Sequence, residues 1–199
     1  MSIGELAMVV NSNFNKPLNE QARELAYSGG YLFTASATFV PDRSGWYKVI
    51  VVSSGGDGYI TKNRQGSSGG VAIRTISLKN SEIYSIQYTS SDISFEDMTC
   101  THAKNATTSA SGSAGTATGG DINYNGLQGS TGAGKVGADV GVFIPELAKT
   151  NVVTKEGNTY ESGYGICGYG CGQTVYSGEY DCQTPNKGGC VLIIPLELE

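Results

Sequence analysis

The sequence predicts an all-β protein, an antiparallel, jelly-roll-like β-sandwich with long glycine-rich loops and a short N-terminal helix or arm. Through most of the stretch from Tyr31 to Tyr88, apolar and polar residues alternate with a period of two, as in half-buried strands. A second observation is the apolar run that closes the chain, Cys190 to Leu196. Between them lies a glycine-rich excursion, Thr107 to Gly141, in which ten positions are glycine. Short strands with turn residues between them are typical of sandwiches.

Residues 1–30 are predicted to form an attachment segment, separate from a β domain over residues 31–199. The stretch from Lys16 to Tyr27 is predicted to be helical, because Pro17 suits a first helical position and Gly29-Gly30 end the pattern. One face of this helix would carry Leu18, Ala22, Leu25 and Ala26. A helix this short is marginal alone in water, so we expect it to pack on a partner or on other copies of the chain.

No targeting or membrane segment is expected. Met1 to Ala7 lacks a basic region followed by a long apolar core, so it does not read as a signal peptide. No apolar run approaches the roughly 18 residues of a membrane-spanning helix. We therefore expect folding in the cytosol and no membrane insertion.

Strands are predicted in order along the β domain. Tyr31 to Phe39 alternates, and Pro41 to Gly45 forms a turn into Trp46–Val52, a hairpin-like pattern. The run from Trp46 to Val52 is apolar on both faces, which favours a central strand. Further strands are predicted at Val71–Leu78, Tyr84–Tyr88, Gly141–Ile144 and Cys190–Leu196, with turns at Gly55–Gly58 and Gly66–Gly70.

The glycine-rich excursion carries too few large apolar side chains to bury a core of its own. Glycine also loses more conformational freedom on ordering than any other residue. We expect this excursion to be an interior part of the β domain, held by the strands and by partner chains.

Charge and composition exclude one class of partner. The net charge is -5 and the pI is near 4.9, whereas nucleic-acid binders carry clustered Lys and Arg. Charged residues make up only 16% of the chain, so the predicted surface is polar but nearly uncharged. Such a surface suits loops that recognise carbohydrate or protein through hydroxyl and amide groups, although solubility alone would produce the same composition.

Five cysteines are present, and four of them fall within a short stretch near the C-terminus. Cys100 stands apart from this cluster, which consists of Cys167, Cys171, Cys182 and Cys190. The spacings C-x3-C and C-x7-C differ from the paired C-x2-C of a zinc ribbon. Disulfides formed after release from the cell, a zinc site, and buried or free thiols all remain open, while the prediction itself contains no metal and no cofactor.

Three patterns that suggest catalysis or nucleotide binding are weak. Gly129 to Lys135 fits the start of a P-loop, but Val136 replaces the magnesium-binding Ser or Thr, and neither the preceding strand nor the following helix is readable. His102 lies two residues after Cys100, which permits a nucleophile pair with no third group to orient it. Three acidic residues could serve a glycosidase in principle, namely Asp57, Glu96 and Asp97. None of these patterns predicts an enzyme.

The segment from Tyr160 to Tyr180 is the strongest candidate for a binding loop. It contains five of the twelve tyrosines, interleaved with Gly and Ser. Tyrosine offers a large amphipathic surface at low entropic cost, which is typical of binding loops. The candidate receptor-binding residues are Tyr164, Tyr169, Tyr176 and Tyr180. In the alternative, these rings fill a glycine-rich core in place of Leu and Ile.

Several phrases resemble the glycine-rich domain found in tail fibres and related appendages of tailed bacteriophages. They are Phe33 to Pro41, Gly45 to Val52, Gly69 to Ala72, Tyr84 to Ile86, Thr118 to Asn123 and the closing Gly189 to Ile194, and the match extends over about residues 31–196. No run of glycine here exceeds two residues, whereas members of that family often have long glycine runs.

The resemblance implies a non-enzymatic virion protein, a tail fibre or appendage subunit assembled in the host cytoplasm. It further implies a homotrimer that is joined to other virion proteins through residues 1–30 and adheres to a glycan or protein of the bacterial surface. Two alternatives are kept: a head fibre or capsid decoration protein docked by the same segment, and a carbohydrate-active tail enzyme.

Overall fold

A computed structural model describes residues 30–131, 170, 172–173, 175–176, 182–183 and 188–196. Within these residues the protein is all-β, as predicted, with no α-helix and one short 3-10 turn at Ile60–Lys62. The strands are β1 Tyr31–Phe33, β2 Ala37–Phe39, β3 Gly45–Val52, β4 Val71–Leu78, β5 Tyr84–Tyr88, β6 Asp92–Phe95, β7 Met98–Thr101, β8 Ala117–Thr118, β9 Ile122–Tyr124, β10 Val175–Tyr176, β11 Cys182–Gln183 and β12 Cys190–Pro195. The predicted helix at Lys16–Tyr27 and the predicted strand at Gly141–Ile144 lie outside the described residues.

The strands form two antiparallel five-stranded sheets and one small hairpin. Sheet A has the order β1-β12-β3-β4-β9, and sheet B has the order β2-β5-β6-β7-β8. The hairpin pairs β10 with β11. In sheet A the long strand β3 pairs along its length with β4 on one side and with β12 on the other. The predicted central strand at Trp46–Val52 is therefore confirmed.

One apolar cluster contains side chains from both sheets. Sheet A contributes alternate residues of its long strands, and sheet B contributes residues of β5, β6 and β7. Its fully buried members include Tyr47, Val49, Val51, Leu78, Ile86, Ile93, Phe95, Met98, Val191 and Ile193. The faces of the two sheets that carry these residues are called the inner faces below.

Sheet A is also apolar on its other face. There, five residues with no exposed surface form a separate group, the outer-face cluster: Ile50, Val52, Val71, Cys190 and Leu192. They alternate along the strands with the inner residues, so both sides of the sheet are buried in this part. Two-sided burial explains the continuous apolar runs that the sequence shows at β3 and β12.

The hairpin-like pattern from Tyr31 to Val52 is wrong in detail. It divides into β1, which pairs with β12 in sheet A, and β2, which pairs with β5 in sheet B. Between them an exposed bend, 34–36, takes the chain from one sheet to the other, held by the Tyr88 amide, which donates to Ser36 Oγ at 2.9 Å. Because β2 and β3 belong to different sheets, the turn at 41–45 does not close a hairpin.

The two ends of the sheets differ in what they carry. The described chain enters β1 at Gly30 and leaves β12 at Leu196, whose amide donates to the Trp46 carbonyl at 2.9 Å. Register places Tyr31 opposite Ile193, so both points lie at the same end, the proximal end. At the opposite, distal end, Val52 pairs with Val71 and the chain continues beyond the sheets. Among the described residues, none belongs to a helix long and apolar enough to cross a membrane.

Candidate functional site: a glycine layer that carries loops

Beyond the distal end of the sheets, several extended segments run side by side without forming strands. We call them the glycine layer: residues 53–58, 65–70, 101–106, 112–116 and 125–131, with 170, 172–173 and 188–189. The predicted turns at Gly55–Gly58 and Gly66–Gly70 are therefore wrong, because neither stretch reverses the chain. The first continues β3 away from the sheet, and the second leads back into β4. Glycine is present here to let backbones approach one another rather than to reverse the chain.

The segment 65–70 lies at the centre of the layer and is hydrogen-bonded on several sides. Its amides donate to Ser130 O at 2.9 Å, to Gln173 O at 2.7 Å, to Leu127 O at 2.9 Å and to Gly170 O at 2.8 Å. Its carbonyls accept from Gly56 N at 2.8 Å and from Gly115 N at 3.0 Å. A β-strand has neighbours on two sides only, whereas this segment is bonded to four other segments of the layer.

Close approach explains why so many positions in the layer are glycine. A Cβ atom added to Gly66, Gly69, Gly112 or Gly129 would lie closer than 3.0 Å to backbone atoms of a neighbouring segment. At Gly45, in β3, the same added atom would meet nothing within 4 Å. Glycine is thus a packing requirement in the layer and not in the strand.

Serine hydroxyls supply hydrogen bonds that backbone groups alone leave unmade. Ser67 Oγ donates to Gly112 O at 2.5 Å and accepts from Gly129 N at 2.9 Å, in a fully buried position. Ser68 Oγ accepts from Leu127 N at 2.7 Å. Buried backbone groups without partners are costly, so these hydroxyls stabilise the layer.

Loops extend from the far side of the layer, and side-chain amides hold their bases. Asn105 Oδ1 accepts from Asp57 N at 2.8 Å, and Gln173 Oε1 accepts from Gly58 N at 2.9 Å. The Ala106 amide donates to Asp57 O at 2.8 Å. These bonds bring together the loops 57–64 and 107–111, which we call the distal loops. Thr107, Thr108, Ser109 and Ala110 are exposed there.

The predicted receptor-binding tyrosines are described only in part. Tyr164, Tyr169 and Tyr180 lie outside the described residues. Tyr176 lies in β10, opposite Cys182 and three residues after Gln173, the residue that contacts the base of the distal loops. The sequence did not single out the distal loops, because Thr, Ser and Asn in a glycine-rich stretch carry no distinctive pattern.

Of the predicted cysteine cluster, Cys167 and Cys171 lie outside the described residues, and Cys182 lies in β11. Cys190 is buried in the outer-face cluster, and Cys100 is a free thiol on the inner face of sheet B. Cys100 Sγ donates to Val51 O at 3.3 Å, and burial raises the pKa of this thiol to about 12. The part of the chain that the structure describes contains no group of three residues suited to a metal ion.

The residues proposed for a Cys-His pair have separate partners. His102 Nδ1 accepts from Ser54 N at 3.0 Å, so the proton must be on Nε2, which lies 3.2 Å from Thr89 O. The Cys100 thiol instead contacts the β3 backbone. Both groups of this pair are thus engaged in holding segments together.

The acidic residues singled out in the sequence are spread over the molecule. Glu96 and Asp97 form the turn between β6 and β7, at the proximal end, and Asp97 forms an ion pair with Arg74. Asp57 lies in a distal loop. The structure therefore separates Asp57 from the other two by the length of the sheets.

The P-loop-like phrase begins inside the glycine layer. Gly129 donates its amide to Ser67 Oγ, and Ser130 accepts from Gln65 N at 2.9 Å. The remainder, from Gly132 to Lys135, lies outside the described residues. The described part of the phrase is thus bonded to a neighbouring extended segment.

Comparison with known proteins gives no relative: no protein-family model and no curated protein matches this chain.

Proposed function

We propose that this protein is a non-enzymatic structural component of a phage virion, a tail fibre or appendage subunit that adheres to the bacterial surface. The observation that carries this proposal is that the two ends of the sheets bear different parts of the chain. The described chain enters and leaves the sheets at the proximal end, and the distal loops stand at the other end, across the glycine layer. A protein attached at one end and binding at the other needs this arrangement.

We further infer that the two sheets form a β-sandwich bearing glycine-rich loops. Support comes from the apolar cluster that side chains of both sheets share, and from the layer that continues from both sheets. In this architecture the sandwich and the layer form a rigid base for the loops, which suits binding residues carried on loops.

The expected ligand is a glycan or a protein of the bacterial surface. The described distal loops offer hydroxyl and amide groups, with exposed Thr107, Thr108 and Ser109. Tyr176 follows the layer residue Gln173 by three positions in the sequence, and we propose it as an aromatic contact for the ligand. Hydroxyl, amide and aromatic groups together are typical of surfaces that bind sugars or peptides.

We propose a homotrimer that is joined to other virion proteins through residues 1–30. The position of Gly30 at the proximal end supports attachment there, away from the distal loops. The same position favours a head fibre or capsid decoration protein equally, so the two differ only in where the protein sits on the particle. Native mass spectrometry tests the trimer, and immunogold labelling of intact particles distinguishes head from tail.

Adhesion is tested with fluorescently labelled protein on a panel of bacterial isolates. Thr108→Arg is expected to abolish the cell-bound signal because it changes an exposed residue of the distal loops, and Tyr176→Ala because it removes the proposed aromatic contact. Thr38→Arg is the matched control, since Thr38 is exposed on β2, far from the loops. Equal binding by all three variants would refute a distal binding surface, and release of sugar or peptide from cell walls would instead favour the tail-enzyme alternative.

A further inference from the structure

A short hairpin forms the end of the distal loop 57–64. The Tyr59 amide donates to Arg64 O at 2.7 Å, and the Arg64 amide donates to Tyr59 O at 3.1 Å. Between them the chain turns through the 3-10 segment Ile60–Lys62 and through Asn63, whose φ is 47°. Because the two residues exchange both backbone bonds, Tyr59 and Arg64 lie directly opposite each other.

A third residue extends this pair on the other side of Arg64. Thr131, at the end of the layer segment 125–131, is paired with Arg64 in a further antiparallel bridge. Opposed residues of antiparallel segments carry their side chains on the same face, so Tyr59, Arg64 and Thr131 form one row, which we call the tip row. Side chains alternate along an extended chain, and Gln65, the next residue after Arg64, is fully buried. The tip row therefore faces outward, with Thr131 exposed and the other two residues half-buried.

The guanidinium of Arg64 has no hydrogen-bond partner among the described residues. Its Nε is buried without a hydrogen bond, and it is the only such atom among the side chains that the structure describes. Nη1 and Nη2 are not buried in this way and donate to no described residue, so both are open to solvent. Buried polar groups of folded proteins nearly always have partners. Arg64 is thus held by its shielded stem while its two terminal amino groups are available to an anion from outside.

The charges near the tip row also favour an anion. The distal loops contain two cations, Lys62 and Arg64, and one carboxylate, Asp57, whereas the whole chain has a net charge of -5. The ion pairs between described residues both lie at the proximal end, so Asp57 is paired with neither cation. An anionic group that reaches the distal loops therefore meets a local excess of positive charge.

We propose that the tip row binds an acidic sugar, a ring that carries a carboxylate or a phosphate group. A guanidinium matches both anions, because its N–H groups donate side by side to two oxygens. Tyr59 stands next to Arg64 in the row and offers an aromatic surface on which a sugar ring packs. The Thr131 hydroxyl, on the other side, donates to or accepts from a sugar hydroxyl.

An acidic sugar fits the tip row better than an acidic side chain of a surface protein. A protein carboxylate would use Arg64 alone, whereas a sugar acid uses the charge, the aromatic ring and the hydroxyl together. This assignment rests on the proposed function, since it takes the distal loops as the binding end. It narrows the ligand from any glycan or protein of the bacterial surface to an acidic glycan.

Isothermal titration calorimetry on the purified full chain tests the site with soluble probes. Trigalacturonic acid carries the carboxylate, and its methyl ester presents the same rings without charge. Glucose 6-phosphate carries the phosphate, and glucose is its neutral counterpart. At least one acidic probe is expected to bind about tenfold more tightly than its neutral counterpart. Equal affinity for each acid and its counterpart, or no binding of either acid, would overturn the proposal.

Arg64→Gln should remove the preference for the acidic probe, because glutamine is polar but carries no charge. Arg43→Gln is the matched control, since Arg43 is exposed at the proximal end and the change in charge is the same. Thr131→Glu is a second test at an exposed position, because its carboxylate would occupy the guanidinium, and Thr131→Gln is the uncharged control of the same size. Wild-type affinity for the acid in both Arg64→Gln and Thr131→Glu counts against the proposal.

Binding to bacterial isolates separates this proposal from adhesion itself. Loss of the cell-bound signal in Arg64→Gln, but not in Arg43→Gln, supports both. If the wild type and Arg64→Gln bind an isolate equally, adhesion stands and the acidic-sugar site is refuted. If the wild type binds no isolate, adhesion is refuted, and the calorimetric titrations decide the acidic-sugar site independently.

Discussion

At the scale of single residues, glycine and serine have different structural roles in the layer. Glycine removes the side chain where two backbones meet, and serine supplies a short hydroxyl where a backbone group needs a partner. Neither task depends on a long sequence motif. A glycine-rich stretch can therefore be as tightly packed as a hydrophobic core, although it buries few large side chains.

Gly112→Ala is expected to destabilise the protein. The new methyl group would meet the Lys104 backbone, and overpacking of this kind costs about 1–3 kcal/mol in the free energy of unfolding. Gly45→Ala is the matched control, because its methyl group meets no atom within 4 Å and should cost nothing or add about 0.5 kcal/mol of stability. Urea denaturation measures both, and equal midpoints for the two variants would contradict the packed layer.

The Cys100 thiol is expected to make the unfolding free energy of the protein depend on pH in the alkaline range. Burial raises the pKa of its thiol to about 12 from the ordinary value of 9.0. A raised pKa means that the stabilisation is complete below about pH 9 and is lost as the pH rises toward 12, since the unfolded chain then releases the proton. Between pH 8 and about pH 10.5, the wild type should lose about 2 kcal/mol more unfolding free energy than Cys100→Ala. Urea titrations at both pH values check this, and parallel losses would exclude the thiol as the cause.

At the scale of elements, strands were predictable where the pattern of apolar residues in the sequence matches the faces that the strand buries. The alternation of Tyr84–Tyr88 and the two-sided apolar runs of β3 and β12 specify strands directly. The hairpin of β6 and β7 was not predicted, because its turn is formed by Glu96 and Asp97 rather than by Gly or Pro, with Glu96 at a φ of 53°. Nor does alternation reveal that the chain changes sheets between β1 and β2, since the exposed bend leaves the period unbroken.

Ile50→Ala tests the burial of the outer face of sheet A. If this face is covered, removal of the side chain leaves a cavity and lowers the unfolding free energy by about 2–5 kcal/mol. Thr75→Ala is the control on the same face, where the side chain is exposed, and should change stability by no more than about 0.5 kcal/mol. Thermal unfolding followed by circular dichroism compares them, and a small effect at Ile50 would mean that water reaches this face in solution.

At the scale of the whole molecule, the layer separates the sheets from the loops. Changes in the distal loops should therefore leave the fold intact, because the segments beneath them are bonded to one another. An insertion of eight Gly and Ser residues after Thr108 is expected to shift the melting temperature little and to abolish cell binding. The same insertion after Ser81, in the proximal turn, should preserve both. Loss of the folded state on insertion at Thr108 would contradict this separation.

The candidate site was less predictable than the fold. Composition indicated that the excursion from Thr107 is held by the framework, and among its described residues 112–116 and 125–131 lie in the layer while β8 and β9 belong to the sheets. Which segments neighbour one another could not be read from the sequence, because the bonds join backbone groups that are alike at every position. Asn105 and Gln173 act through their side-chain amides, which accept hydrogen bonds from the backbone of Asp57 and Gly58. Only the folded layer brings these groups together.

The central segment 65–70 also has a consequence for the rate of folding. Its partners in the other layer segments include Gly56, Gly112, Leu127 and Gln173, so these bonds join residues from 11 to more than 100 positions apart. Contacts this distant in sequence are slow to form, because each closes a long loop before it adds stability. Sheet A depends on contacts at least as distant, because β1 and β3 both pair with β12, so we expect the sheets and the layer to form together in one slow refolding step.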